Sequence, residues 1–261
     1  MLRLAQELVS HRHLIAAQVR AELQSSTVNY RLGLLWWVLN PLLLMAIYYF
    51  LVRGVFGRGG QNYHVFLLAG LIPWQWFTFA IGASVRALER NRDLMLQAKF
   101  PLFTLVLVPC LTNLFFALIG LAVVLVFAGH WPDLHLLGLV PIALVQLMIT
   151  LGVGCLLAVV SAYLPDMERL TDFGLRALFY LSPVLYEVAM IKSWGKLPSR
   201  LIDLWQLNPL VFLLESYRGL LIKQVWPDWG ALAIWTLVGA ALLQLGLVVL
   251  RRQEHQLCKL I

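Results

Sequence analysis

Uncharged runs of membrane-crossing length alternate with short polar connectors along this chain. Residues 32 to 52 are 21 positions without Asp, Glu, Lys or Arg, and at about 1.5 Å per helical residue they span a hydrocarbon layer about 30 Å thick. Residues 59 to 85 give 27 such positions and contain Pro73 followed by Trp74, Trp76 and Phe77. A second span kinked at an aromatic cluster is predicted there. The 33 residues from Phe100 to Pro132 and the 32 from Leu134 to Pro165 carry one span each. Phe173 to Ile191 is the weakest span, because Arg176 and Glu187 leave only ten uncharged residues between them and Pro183 interrupts FYLSPVLY. Leu204 to Leu214, 11 uncharged residues, is too short to cross and suits a re-entrant hairpin. Gly230 to Leu250 is the last span, closed by Arg251 and Arg252.

Ahead of the first span, Leu4, Leu8, Ile15, Val19 and Leu23 fall on one side of a helix, with Arg3, Gln6, Ser10, His13 and Arg20 opposite. That pattern predicts an amphipathic helix in the interface plane over residues 1–31, free to meet a cytoplasmic partner. The prediction is an all-α polytopic membrane protein forming a single domain, residues 1–261. It comprises this helix, five spans over 32–191, re-entrant short helices over 192–229, a sixth span over 230–250 and a tail over 251–261. Asp172 and Arg176 stand four apart, in the favourable order for a helix pair.

Composition agrees: 61% of residues are hydrophobic, 13% charged, and mean hydropathy is +0.81, against about 45–50% apolar and 25% charged in a soluble domain. A single membrane domain of this length leaves no room for a nucleotide-binding domain, so the driving energy comes from a gradient or a partner. The net charge of +7 resides in connectors, which argues for orientation rather than nucleic-acid binding. With the N-terminus inside, Lys and Arg number 13 on the cytoplasmic side and 7 outside, so both termini are predicted cytoplasmic. Cys110, Cys155 and Cys258 show no metal or disulfide spacing, and the first residues lack a signal-peptide pattern.

The order of surface helix, YRLGLLWWVLNP, LIPWQWF, a basic connector, LSPVLY and NPLVFLLESYR resembles the membrane subunit of ABC-2 type polysaccharide exporters. Those are the permeases of O-antigen, capsular polysaccharide and teichoic acid export. The resemblance implies a homodimer in a bacterial inner membrane, working with two copies of a separate ATPase that holds ATP and Mg, with no cofactor in this chain. The absence of a GxxxxGK[ST] loop agrees. It further implies that the lipid-linked sugar is met at the loop of Tyr30, Arg31, Leu32 and Gly33. ATPase coupling falls to the surface helix, to Arg86, Glu89, Arg90, Arg92 and Asp93, and to Asp166, Glu168 and Arg169. The outer gate is matched by Asn208, Pro209, Glu215, Tyr217 and Arg218, where Glu215 and Arg218 can also pair structurally.

Sugar rings have apolar faces, so a sequence-tolerant path can use aromatic platforms. Candidates are Trp36, Trp37, Tyr48, Tyr49, Trp74, Trp76, Phe77, Tyr180 and Tyr186; the same residues also suit an interfacial belt. Arg31, two residues before Gly33, is the available cation for an anionic carrier and equally a positive-inside anchor. A drug or lipid permease of the same class is an alternative. A secondary carrier would need ionisable residues within the spans, and the four clearest contain none. A polyprenyl-phosphate enzyme would need clustered acids, and Asp166, Glu168 and Asp172 are interleaved with Arg169.

Overall fold

The computed structural model describes residues 10–28, 33, 35–57, 59–93, 101–129, 133–193 and 198–260. Tyr30, Arg31 and Leu32 lie outside the described residues, as do the first turns of the surface helix. Helix α1 is Arg12–Val28, α2 Leu35–Tyr49, α3 Tyr63–Val85 and α4 Ala87–Arg90. They are followed by α5 Leu102–Ala128, α6 Leu139–Tyr163, α7 Met167–Leu181, α8 Val188–Ser193, α9 Ser199–Gln206, α10 Pro209–Leu221 and α11 Trp229–Leu260.

Among the described residues, five helical stretches are long and apolar enough to cross a membrane: Leu35–Val55, Tyr63–Val85, Leu102–Ala128, Leu134–Tyr163 and Trp229–Glu254. The expected span over Phe173 to Ile191 is not among them. Its helix, α7, is 15 residues long and starts inside the polar connector at Met167. It ends at Leu181 because Pro183 provides no amide and disfavours helical backbone at Ser182. The segment nevertheless joins both ends of α3: Glu168 pairs with Arg86 at 2.6 Å, and the Leu185 carbonyl accepts from the Tyr63 hydroxyl at 2.6 Å.

Helix α3 is the axis of the bundle, with Leu67, Leu68 and Ala80 fully buried and 78% of its apolar window inside the protein. It runs on through Pro73, whose carbonyl accepts from Gln146 Nε2 at 2.8 Å. Helices α6 and α11 make the closest approach. A Cβ on Gly152 would stand 2.6 Å from the Leu242 backbone, and one on Gly246 2.6 Å from the Gly152 carbonyl. Membrane helices lack a hydrophobic drive towards one another, so this glycine contact brings the backbones into van der Waals range instead. Tyr163 bonds to Gln253 at 2.8 Å, tying the ends of the pair.

The predicted re-entrant run Leu204–Leu214 is divided between α9 and α10. Asn208 breaks it: its backbone is extended ahead of Pro209, and its Oδ1 accepts from the Leu210 amide at 3.0 Å. Proline at the first helical position, after an Asn cap, is a helix start rather than a hairpin tip. On the same side, Asp133 opens the turn Leu134–Gly138; its hydrogen bonds with His135 and the Leu134 amide hold its carboxyl below the ordinary range.

Candidate functional site

Helices α2, α3 and α7 leave a groove of about 700 Å³ between them. One part is aromatic, with Tyr48, Trp74, Phe79, Phe179 and Tyr180; the other is polar, with Arg86, Arg90, Asp172 and Arg176. Trp74 and Phe179 meet edge to face at 5.5 Å, and Tyr48 lies 5.6 Å from Phe179. The two ends follow from helix phase. Residues 71, 74, 75, 78, 79, 82 and 86 recur at helical spacing along one face of α3, and residues 172, 175, 176 and 179 do so on α7. Asp172 and Arg176, which sequence spacing pairs, both line the groove and form no ion pair with each other.

Of the aromatics singled out by sequence, Tyr48, Trp74 and Tyr180 come together in this groove, Tyr180 being 66% exposed. The others face elsewhere. Trp37 stacks on Phe116 at 3.6 Å, Tyr49 packs near Tyr63 and His64, and Tyr186 bonds to the Tyr180 carbonyl at 3.1 Å. Trp36 is exposed, whereas Trp76 and Phe77 are core side chains. The Trp76 indole donates to the Cys110 carbonyl at 3.2 Å, on the side of α3 that meets α5. Residue type selected these positions, but phase along α3 separates Trp74 from Trp76: two residues apart is a turn of about 200°. Gln75, Thr78, Phe79 and Phe179 were missed; the signal that could have found them was their helical spacing along the groove-facing sides of α3 and α7.

At the Arg86 end, two ion pairs join four elements. Arg86, the cap between α3 and α4, holds Glu168 on α7 at 2.6 Å, and Arg90 on α4 holds Glu22 on α1 at 3.3 Å. Ile15 is buried and Val19 packs on the core, so the apolar face of α1 lies against the bundle where it is described. Glu89, Arg92, Asp93, Asp166 and Arg169 are exposed around these pairs. Gly33 sits in a turn at φ +47, backbone that a side chain rarely adopts.

At the Tyr63 end, Arg218 is 2% exposed and donates to the Pro183 and Val184 carbonyls at 2.6 and 2.7 Å. Its guanidinium lies 3.6 Å from the Phe66 ring centre, in space kept open by Gly70, where a Cβ would come within 2.5 Å of Nη2. Glu215 is a weaker partner at 3.5 Å. The side chain therefore clamps the turn after α7 to α3 and α10. Tyr217 is fully buried beside it, and Asn208 reaches Ser182 in the same turn at 3.3 Å.

The sequence that builds this groove matches known proteins over most of its length. The ABC-2 type transporter family matches residues 13–222. The chain belongs to that family. It is 32% identical over 231 residues to the O-antigen export system permease protein RfbA of Myxococcus xanthus, covering 87% of each chain. The protein of that name from Klebsiella pneumoniae is 29% identical over 234 residues, 88% of each. The polysialic acid transport protein KpsM of Escherichia coli is 27% identical over 251 residues, covering 90% of this chain and 91% of its own.

Proposed function

We propose that this chain is the membrane permease of an ATP-driven exporter that moves a polyprenyl-diphosphate-linked polysaccharide across a bacterial inner membrane. The observation that carries this reading is the groove of α2, α3 and α7 in a chain related over most of its length to O-antigen and polysialic acid transport proteins. Polysaccharide needs a path that binds each residue weakly. Aromatic faces meet the CH faces of sugars without holding hydroxyls tightly, and guanidinium groups suit an anionic diphosphate.

In this reading the segment 167–185 is the sixth crossing. Its contacts with both ends of α3 support that, and a helix of 15 residues spans only part of about 30 Å, with the turn through Pro183 supplying the remainder. Both termini are then on the cytoplasmic side, with α8 to α10 at the outer face. Two copies face each other across their grooves, since one groove is open along its side. Two copies of a separate ATPase bind beneath, holding ATP and Mg; α1 and the pairs Glu22–Arg90 and Arg86–Glu168 transmit their movement. The Arg31 loop receives the lipid head group. No cofactor is assigned to this chain.

The experiment is affinity isolation of the untagged complex from its native membrane, through an antibody to the C-terminal tail, combined with an export assay. An equimolar Walker-motif ATPase is expected in the isolate. Cells with Tyr48→Ala and Tyr180→Ala together are expected to insert the protein in normal amount and to retain lipid-linked polymer inside. Recovery of this chain without any ATPase, or unchanged export by that variant, would sink the corresponding half of the reading.

A further inference from the structure

Behind the groove wall, α2, α3 and α5 enclose a second, much smaller pocket of about 20 Å³, lined by Trp37, Pro41, Gln75, Asn113 and Phe116 among others. Two amide groups on that lining have no protein partner, Gln75 Nε2 and Asn113 Oδ1, one a donor and the other an acceptor. The orientation of Asn113 is set by its other end, whose Nδ2 donates to the Pro109 carbonyl at 2.8 Å. The third group is backbone. Pro41 has no N–H, so the Trp37 carbonyl one turn earlier lacks its usual helical donor. Unpaired donors and acceptors are costly in an apolar bundle, and the three residues that carry these groups all line one space. A buried water needs about 10–15 Å³ and two to four polar partners.

We propose that this pocket is a binding site for a single structural water, which accepts from Gln75 Nε2 and donates to Asn113 Oδ1 and the Trp37 carbonyl. The three bonds use one lone pair and both hydrogens of the water. Gln75 and Phe79 line both this pocket and the groove, so the water joins the groove wall to α5 and to the proline break of α2. A water is a replaceable partner, which lets α2 shift against α3 without stranding either amide. The inference does not depend on what the groove carries.

The test is a density map of the complete transporter in lipid nanodiscs at a resolution that shows ordered water. A peak within hydrogen-bond reach of both Gln75 Nε2 and Asn113 Oδ1 is expected. Thermal unfolding of Gln75→Leu and Asn113→Leu supplies an independent readout: each lowers the midpoint by several degrees, and the double variant by less than the sum. An empty pocket, or the two amides bonded directly to each other, overturns the proposal; so does full additivity of the two losses.

Discussion

Helices α3 and α2 share one sheath of lipid and are held very differently. The apolar window of α3 is 78% buried, and that of α2 only 6%. The same contrast separates the α6–α11 pair, locked backbone to backbone at Gly152 and Gly246, from α7, where a Cβ on Gly174 would meet nothing within 4 Å. Part of the molecule is a fixed frame of α3, α5, α6 and α11, and the groove is walled on two sides by lightly attached helices. The lesson is that hydrophobicity does not grade these elements, since all must satisfy the lipid. Close approach and buried hydrogen bonds do.

The sharpest way to break this contrast is at the glycines. Gly152→Leu is expected to abolish the assembled protein, because its side chain would occupy the backbone of Leu242 and Leu243; overpacking typically costs about 1–3 kcal/mol, and more where the obstacle is backbone. Gly174→Leu is expected to leave the yield of folded protein unchanged. Size-exclusion profiles of the two variants in mild detergent decide the matter, and equal profiles would erase the distinction between frame and walls.

Next in size is Arg218→Met, which strands the Pro183 and Val184 carbonyls and leaves Glu215 without its guanidinium. A loss of about 1–3 kcal/mol is expected for the stranded buried carbonyls, read as a fall in thermal stability. Lys in that position is expected to rescue only part of it, since an ammonium cannot form the same planar fork. If Arg218→Met is as stable as the parent, the clamp is not what holds α7 to the frame.

The smallest effect is expected at the pair Arg86–Glu168, whose side chains are 48% and 39% exposed. Glu168→Gln is expected to change stability by about 1 kcal/mol or less, while lowering ATP-dependent export if the pair carries movement between α3 and α7. Export at the parental rate would reduce the pair to an ordinary surface contact.

Much of the bundle was legible as soon as the charges were marked along the chain. Uncharged length predicts five crossings within a few residues, because lipid forbids an unpaired backbone and leaves the helix as the local solution. The C-terminal end of α3 is visible in the same way, at Arg86, where the uncharged run stops. The weak span does not appear as a membrane-length helix: Phe173 to Ile191 was expected to cross, whereas the helix there starts at Met167 and stops before Ser182. Its polar first turn is stabilised by the partner Arg86, which lies 82 residues away in sequence. No local pattern contains that information.

Sequence alone thus determined that this is an all-helical membrane protein, where its main helices lie, and which residue types could meet sugar or phosphate, since those depend on composition and on spacing along one chain. Tertiary structure alone decided which of them meet. It put Trp74 in the groove and Trp76 in the core, turned Arg218 towards carbonyls of another segment, and gathered Arg86, Arg90 and Arg176 at one end of the groove. The reason is geometric: a helix turns about 100° per residue, so the neighbour that each side chain finds is set by the rotation and approach of other helices, which glycine contacts and buried hydrogen bonds fix only when the bundle assembles.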